Sequence, residues 1–417
     1  MRLIARCRIL LLLLLAGCAS LRPPGIPAYT VEVAAGEFDR EEVPVSFPLP
    51  GGASGAGFRL VDEAGRVIPV QLSAGRQATF ILERLAAGAT RRYRLEAVAI
   101  DAAPGVQAQR GEGAVTLAVA GQPVLRYNAS ETPLPGPEVD PVFRRGGYIH
   151  PVHTPAGKII TDDYPPNHLH HHGIWAAWTR TVFEGRELDF WNMGDRKGTV
   201  EPVSLDTTWS GSVHAGFRAR HRYLDLTAPS PRGALDETWT VHLYNVQGSG
   251  RPYRIFDLEV VQTTASSSVL LLPEYHYGGV GFRGRREWNG EENTFFLTSE
   301  GRDRSDGHGT RARWCHIGGF VEGALAGVGI LGHPENFRFP QHMRIHPTEP
   351  FFNWAPSQAG DWAIQPGQPY IARYRFVVYD GAPDAGQLDR LWNDYAHPPT
   401  VMVTVPSTSR PETRSSR

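Results

Sequence analysis

The sequence predicts an all-β protein, and three observations point to this class. Short runs rich in Val, Ile, Tyr, Phe and Trp recur along the chain, and several alternate polar with apolar residues, as residues 371–379 do. This alternation is typical of a strand with one face toward water. The 45 Gly and 34 Pro residues separate the runs as turn signals. Only residues 383–395 have helical periodicity, with Leu388, Leu391 and Trp392 on one face. We therefore expect antiparallel β-structure with one short C-terminal helix.

Residues 1–17 have the pattern of an export signal. Three arginines precede an apolar run, residues 9–15, that is too short to span a bilayer. The run ends in Leu-Ala-Gly-Cys, which resembles a bacterial lipobox with Cys18 as the lipidated residue. An ordinary secretory signal is the alternative. We expect a lipid anchor at the cell envelope, in the outer membrane of a Gram-negative host because Ala19 follows the cysteine.

The rest of the chain divides into four parts by composition. Residues 18–28 are Pro-rich and predict a tether. Residues 29–100 contain six strand-like runs and predict a small β-sandwich domain. Residues 101–400 predict a large antiparallel β-sandwich that contains the functional site. Residues 401–417 are rich in Ser, Thr and Arg and predict a disordered tail.

The composition excludes several function classes. The chain has 42 basic and 43 acidic residues and no basic stripe, so we expect no nucleic-acid partner. No second apolar run has membrane length, so only the lipid anchor is expected to contact a membrane. The sequence lacks a Gly-x-Ser-x-Gly elbow, a Cys-x-x-Cys pair and a phosphate-binding loop ahead of a helix. A small-molecule ligand is left as the expected partner.

A histidine cluster marks the expected site, because six of the 16 histidines lie between residues 150 and 172. Imidazole accepts, donates or ligates near neutral pH. If residues 167–175 form a strand, His168, His170 and His172 share one face. These three side chains could then bind a divalent metal or serve as acid and base. Neighbouring positions on such a face are about 7 Å apart, so a metal would need a distant further ligand. No motif in the sequence identifies a cofactor with certainty, and a divalent metal is the one possible cofactor that the histidines suggest.

Several separated segments carry a family resemblance. They are Arg144, the run Tyr148-Ile-His-Pro, the run from His168 to Trp175, and later the stretches 275–283, 333–338 and 346–352. Together they resemble the bacterial PmoA-like family over most of the larger domain. The resemblance implies a β-supersandwich similar to galactose-mutarotase-like domains, which bind or process carbohydrate. The family name implies a methane oxygenase. The methane oxygenase subunit that carries this name spans the membrane several times, whereas we expect no such spans in this chain.

The candidate site residues come from these segments. The acid–base candidates are His168, His171, His172 and Glu274. Glu274 lies among aromatic and histidine residues before a Gly-Gly turn, where desolvation would raise its pKa, and a structural acceptor is the alternative. Arginines suit acidic or hydroxylated ligands, and Trp rings stack on sugars. The substrate-binding candidates are Arg144, His150, Trp175, Tyr277, Arg283, His333, Arg338 and His346.

These patterns favour an exported lipoprotein enzyme that acts on a carbohydrate or sugar derivative. The expected chemistry is proton transfer: hydrolysis, elimination or epimerisation. A non-catalytic glycan-binding lipoprotein is the first alternative, and a metal-dependent oxygenase is the second. The histidine cluster favours the enzyme, because a binding protein needs aromatic platforms and hydrogen bonds but no group of histidines.

Overall fold

The computed structural model describes residues 29–99 and 104–404. The predicted signal, tether and lipidated Cys18 lie outside these ranges, as do residues 405–417. Strands are numbered in chain order. The first sheet consists of β1 (Tyr29–Ala34), β2 (Arg40–Pro48), β3 (Gly57–Asp62), β4 (Val67–Ser73), β5 (Gln77–Leu85), β6 (Thr90–Val98) and, from the far end of the chain, β27 (Thr400–Thr404).

The first sheet has the order β2-β5-β4-β3-β6-β1-β27 and a core of its own. Burial alternates along β1, so Val31 and Val33 point inward with Phe80 and Tyr93. Strand β27 pairs antiparallel with the outer edge of β1. The prediction of disorder from residue 401 was therefore wrong for residues 401–404. Their backbone groups pair with those of β1, which would otherwise be an open edge.

Three more sheets form the larger part of the structure. The first eight-stranded sheet consists of β7 (Val106–Gly111), β8 (Ala114–Val119), β9 (Gln122–Asn128), β10 (Tyr148–Val152), β11 (Ile174–Ala177), β19 (Gly279–Arg283), β23 (Met343–Ile345) and β24 (Phe351–Trp354). The second consists of β14 (Gly198–Trp209), β15 (His214–Asp225), β16 (Arg232–Tyr244), β17 (Tyr253–Thr264), β20 (Phe295–Thr298), β21 (Trp314–Val321), β22 (Ala324–Gly332) and β26 (Tyr370–Asp380). A four-stranded sheet consists of β12 (Thr181–Phe183), β13 (Arg186–Leu188), β18 (Leu270–Leu272) and β25 (Trp362–Ile364).

The two eight-stranded sheets pack face to face around one apolar core. Tyr127 of β9 stacks on Phe217 of β15 with ring centroids 4.4 Å apart. At the other side of the sheet, Trp354 of β24 lies parallel to Tyr374 of β26. The strands pair antiparallel, so the predicted all-β class with antiparallel sheets is confirmed.

The predicted C-terminal helix is also confirmed, as α1 (Ala385–Ala396). Asp384 caps it, because its carboxylate accepts the Gln387 backbone N–H at 3.0 Å. Leu388 and Leu391 are buried in a small apolar cluster with residues of the second eight-stranded sheet. Within the described ranges, no helix has the length and apolar character needed to cross a membrane.

Arg40 joins the first sheet to the helix. This residue of β2 is 2% exposed, and its guanidinium donates to the carbonyl oxygens of Ala35 and His397 at 2.9 and 2.7 Å. It also forms a 3.0 Å ion pair with the buried carboxylate of Asp394. Arg390 contacts the other oxygen of Asp394 at 3.1 Å. The N-terminal sheet and the C-terminal helix are thereby held together by a buried polar network.

Candidate functional site

The histidine-rich segment is a loop, so the prediction of a strand over residues 167–175 was wrong. The His168 N–H donates to the carbonyl of Pro165, and the His171 N–H donates to that of His168, both at 2.9 Å. These turns follow two consecutive prolines, and β11 begins only at Ile174. Without strand alternation, the three side chains do not share one face, since His168 and His170 line a common pocket and His172 is buried outside it. The three predicted metal ligands therefore do not meet at one site.

The loop forms one side of a pocket of about 240 Å³. The antiparallel pairing brings the start of β11, the end of β19 and the β23–β24 hairpin to the same edge of the sheet. Loops from these points supply most of the side chains. The pocket is lined by His168, His170, His171, Trp191, Asn192, Tyr277, Arg344, His346 and Phe351. The structure thus brings together five of the predicted site residues, namely His168, His170, His171, Tyr277 and His346.

Aromatic rings form the wall behind His171. The His171 imidazole stacks on Phe351 and lies against Trp175, with centroids 4.9 Å apart in both pairs. Gly281 in β19 allows this packing, since a Cβ there would lie 2.8 Å from Trp191 and 3.3 Å from Phe351. Trp175 is fully buried, so it supports the pocket from behind.

Glu349 is the carboxylate next to the pocket histidines. Its Oε2 lies 3.0 Å from Nδ1 of His168 and accepts a hydrogen bond from the buried guanidinium of Arg283. Its Oε1 accepts from the Asn167 side chain at 2.8 Å. The His168 contact has the length of a hydrogen bond but not its direction, which leaves Nδ1 without a hydrogen-bond partner. Burial would raise the pKa of Glu349, but the contacts with His168 and Arg283 outweigh it and hold the pKa at about 2. Glu349 is therefore a fixed negative charge at neutral pH.

Burial keeps three pocket histidines neutral. It lowers the pKa of His170 to about 3 and that of His346 to about 4, because the charged imidazole loses its hydration. The pKa of His171 is also lowered, first by burial and then by its charged neighbours. These rings can donate and accept hydrogen bonds to an uncharged hydroxyl at physiological pH.

The lowered pKa values predict a loss of stability in acid. The unfolded histidines take up protons near pH 6.5, whereas folded His170 and His346 stay neutral, so the free energy of unfolding decreases as the pH falls from 6.5 toward 4. Each such histidine contributes at most about 1.4 kcal/mol per pH unit. Urea unfolding at several pH values should show a smaller slope for the His170→Gln/His346→Gln double variant. If the free energy of unfolding of the double variant depends on pH as steeply as that of the unaltered chain, His170 and His346 are not the cause of the acid sensitivity.

His168, His171 and Glu349 form a possible metal-binding triad, with one ligand atom of each lying within 4.8 Å of the others. The unpartnered Nδ1 of His168 fits a metal ligand. Two features oppose it. Arg283 binds Glu349 and has Nη1 3.4 Å from Nδ1 of His171, so a cationic group already lies among the three ligands. The His168 and His171 rings are stacked at 15°, and one ion cannot lie in both ring planes without their rotation.

His172 and His150 lie outside the pocket lining. His172 is fully buried, donates from Nδ1 to Asp163 at 2.7 Å and packs against Tyr148. His150 has Nδ1 2.9 Å from the hydroxyl of Thr161. Both side chains hold the strand-to-loop connection together, and neither faces the space that a ligand would occupy.

Four other predicted residues also lie away from the pocket. Glu274 is exposed, so its carboxylate does not lie in the buried environment that was expected for it. Arg144 is exposed as well. Arg338 donates to backbone carbonyls at positions 356 and 360 and holds that turn. His333 lines a separate surface cleft beside the helix.

Arg344, Asn192 and Phe351 line the pocket, although they were not predicted as site residues from the sequence. Arg344 and Phe351 lie within a few residues of His346, which was predicted, so the sequence around the β23–β24 hairpin contained a usable signal. The sequence around Asn192 contained none, because the place of this side chain depends on how two distant loops pack.

The fold and site define a β-sandwich protein with a histidine-lined pocket at one sheet edge. Residues 114–393 match a family of unknown function, DUF6807, and the chain belongs to that family. Its description assigns no activity, so the PmoA-like name remains a resemblance. No curated protein matches the chain.

One solved structure to which the chain is similar is a protein in the glycosyl hydrolase family 38 from Enterococcus faecalis. The identity is 9%, the TM-score is 0.44, and the match covers 91% of this chain and 47% of the other. This chain thus spans less than half of that solved chain. Similarity this distant carries no functional information.

Proposed function

We propose that this protein is an enzyme that acts on a carbohydrate or sugar derivative by proton transfer. His168 is the proposed general base, and Glu349 orients it. The single observation that carries the proposal is the 3.0 Å contact between His168 Nδ1 and a Glu349 carboxylate that Arg283 and Asn167 hold in place. A histidine positioned by a fixed carboxylate is a recurrent arrangement for moving protons.

The Glu349 carboxylate selects the tautomer of His168. With the proton on Nδ1, the lone pair of Nε2 is left free to accept a proton from a ligand. The imperfect direction of the Nδ1 contact does not oppose this role, because catalytic hydrogen bonds are often poorly aligned before the ligand binds. His346 lies next to His168, with ring centroids 6.1 Å apart, and is the proposed partner for proton return.

The pocket walls fit a hydroxylated ring. Trp191 and Phe351 form an apolar part of the pocket wall, and the Asn192 side chain and the hydroxyl of Tyr277 are the hydrogen-bonding groups beside it. Burial raises the pKa of Tyr277, so its hydroxyl stays neutral and can donate. The volume of about 240 Å³ is below the roughly 300–1,000 Å³ that is usual for drug-sized ligands. A single small ring suits this space.

Proton NMR in D₂O with a panel of oligosaccharides and sugar acids tests the proposal. Hydrolysis creates a new reducing end, elimination creates a vinyl proton, and epimerisation exchanges a carbon-bound proton for deuterium. We expect one of these three signals with the full chain and its loss in the His168→Ala variant. Absence of all three over the panel would contradict the proposed function.

Metal-assisted hydrolysis is a second candidate function, favoured by the triad of His168, His171 and Glu349. A bound divalent ion would supply an activated water, and the triad would hold the ion. Mass-spectrometric metal analysis of protein purified without chelators separates the two candidates. A stoichiometric metal that is lost in Glu349→Gln would support metal-assisted hydrolysis. A metal content below about a tenth of an equivalent per chain would exclude it.

We also propose that the chain is exported and anchored through a lipid on Cys18. The basic residues, the apolar run and the lipobox-like Leu-Ala-Gly-Cys support this. In a Gram-negative host, the full chain is expected to incorporate labelled palmitate and to sediment with the membrane. Cys18→Ala should incorporate none. Equal labelling of the two chains would contradict lipidation at this residue.

A further inference from the structure

Arg344 has no acidic partner in the pocket. It lies in the edge strand β23, where Met343 and Ile345 on either side are buried in the core. Strand alternation therefore turns Arg344 to the opposite side, where it lines the pocket. Within residues 29–99 and 104–404, no carboxylate lies within ion-pair distance of it. In the part of the chain that the structure describes, its one polar side-chain contact is Nη1 to Nε2 of His308, at 3.4 Å.

The carboxylates near Arg344 are engaged by other groups. His276 and His308 lie near it, and the pKa of each is lowered by burial and then by the charge of Arg344. Glu349 beside the pocket is already paired with Arg283, and Asp189 accepts hydrogen bonds from the Asn192 side chain and from the backbone N–H groups of Trp191 and Asn192. The partly buried guanidinium of Arg344 is therefore left without an ion-pair partner among the described residues and can bind an anionic group of a ligand.

We propose that the ligand of this pocket carries a carboxylate and that Arg344 binds it, which makes a uronic acid or a related sugar acid the substrate class. The planar guanidinium matches a carboxylate with two parallel hydrogen bonds. With the carboxylate at Arg344, the sugar ring lies against the wall that Trp191 and Phe351 form together and presents its carbon-bound hydrogens and hydroxyls to His168. This inference rests on the proposed function, since it names the substrate of the same site.

The charge of the substrate also has a chemical consequence. A carboxylate paired with a guanidinium withdraws electrons from the adjacent carbon, so the hydrogen on that carbon becomes easier to remove. Elimination and epimerisation both begin with loss of this proton to a base such as His168. Arg344 would then be a residue that selects the substrate and that also stabilises negative charge as it develops.

Isothermal titration of the full chain with paired methyl glycosides tests the proposal. The charged probes are methyl glucuronide and methyl galacturonide, and the neutral probes are methyl glucoside and methyl galactoside. We expect the uronides to bind at least tenfold more tightly. Arg344→Gln should remove this preference, and Arg344→Lys should keep part of it. Arg220→Gln is the matched control, because Arg220 is exposed on β15 and paired with Asp206. This variant should prefer the uronides to the neutral glycosides as strongly as the unaltered chain does.

The outcomes separate this inference from the proposed function. Equal affinity for charged and neutral glycosides, or a preference that persists in Arg344→Gln, overturns the inference and leaves a carbohydrate pocket standing. Binding of neither kind of glycoside overturns both. If glucose 6-sulfate binds more tightly than both uronides, the group that the pocket recognises is a sulfate ester and not a carboxylate. An unchanged melting temperature in Arg344→Gln ensures that a lost preference reflects the missing guanidinium.

Discussion

Replacing His168 by alanine is expected to lower kcat/KM at least a hundredfold for the substrate found in the NMR panel. A positioned general base typically contributes a factor of about 10²–10⁴. The variant retains His170, His171 and His346 in the pocket, but among the described residues no carboxylate contacts any of these three rings as Glu349 contacts His168. Steady-state kinetics of the purified variant measure the effect.

His153→Ala is the matched control for this variant. His153 belongs to the same cluster in the sequence, but its Nδ1 contacts a backbone carbonyl at position 157 and it does not line the pocket. Its kcat/KM should stay within about twofold of the unaltered chain. If His168→Ala loses less than about tenfold, the assignment of His168 as the base is wrong.

Glu349→Gln separates orientation of the base from a merely structural role. Glu349 is a positioning residue, since it acts through His168. Its loss should reduce kcat more than it raises KM, because it removes the orientation of the base and no contact with the bound substrate. A variant with lower stability and an unchanged kcat would assign Glu349 to folding alone.

Replacing Arg40 by alanine is expected to decrease the free energy of unfolding by about 3 kcal/mol. The substitution leaves the buried Asp394 carboxylate with Arg390 alone and leaves the carbonyls of Ala35 and His397 without their donor. Removal of one partner of a buried pair costs about 3–5 kcal/mol, and the remaining Arg390 contact favours the lower end. Urea unfolding followed by tryptophan fluorescence measures the change.

Arg84→Ala is the control for a surface ion pair on the same sheet. Arg84 is 76% exposed on β5 and contacts Glu41 at 2.8 Å. Exposed ion pairs contribute about 0–1 kcal/mol, so the free energy of unfolding of this variant should stay close to that of the unaltered chain. Equal effects of the two substitutions would show that the buried network does not hold the sheet and helix together.

The strands were predictable because their cause is local. The runs 29–34, 67–72 and 371–379 were predicted as strands, and the structure has strands there. In the first of them, burial alternates from residue to residue because one strand face packs on the core. The helix was predictable for the same reason, from the spacing of its apolar residues. In the histidine-rich segment, residue alternation predicted a strand, but the structure has turns. The reason is that Pro165 and Pro166 have no backbone N–H to donate to a paired strand.

The sequence by itself determined the class of the fold, its single helix and the importance of the histidine-rich loop. Only the tertiary structure decided which histidines share a pocket and which charges are matched. His168, Glu349 and Arg283 are far apart along the chain and meet because antiparallel pairing brings one end of β11, β19 and β24 to the same edge. The partnered Arg283 and the unpartnered Arg344 are the same residue type in similar segments. Their roles differ because charge pairing depends on distances across strands, which residue identity alone does not encode.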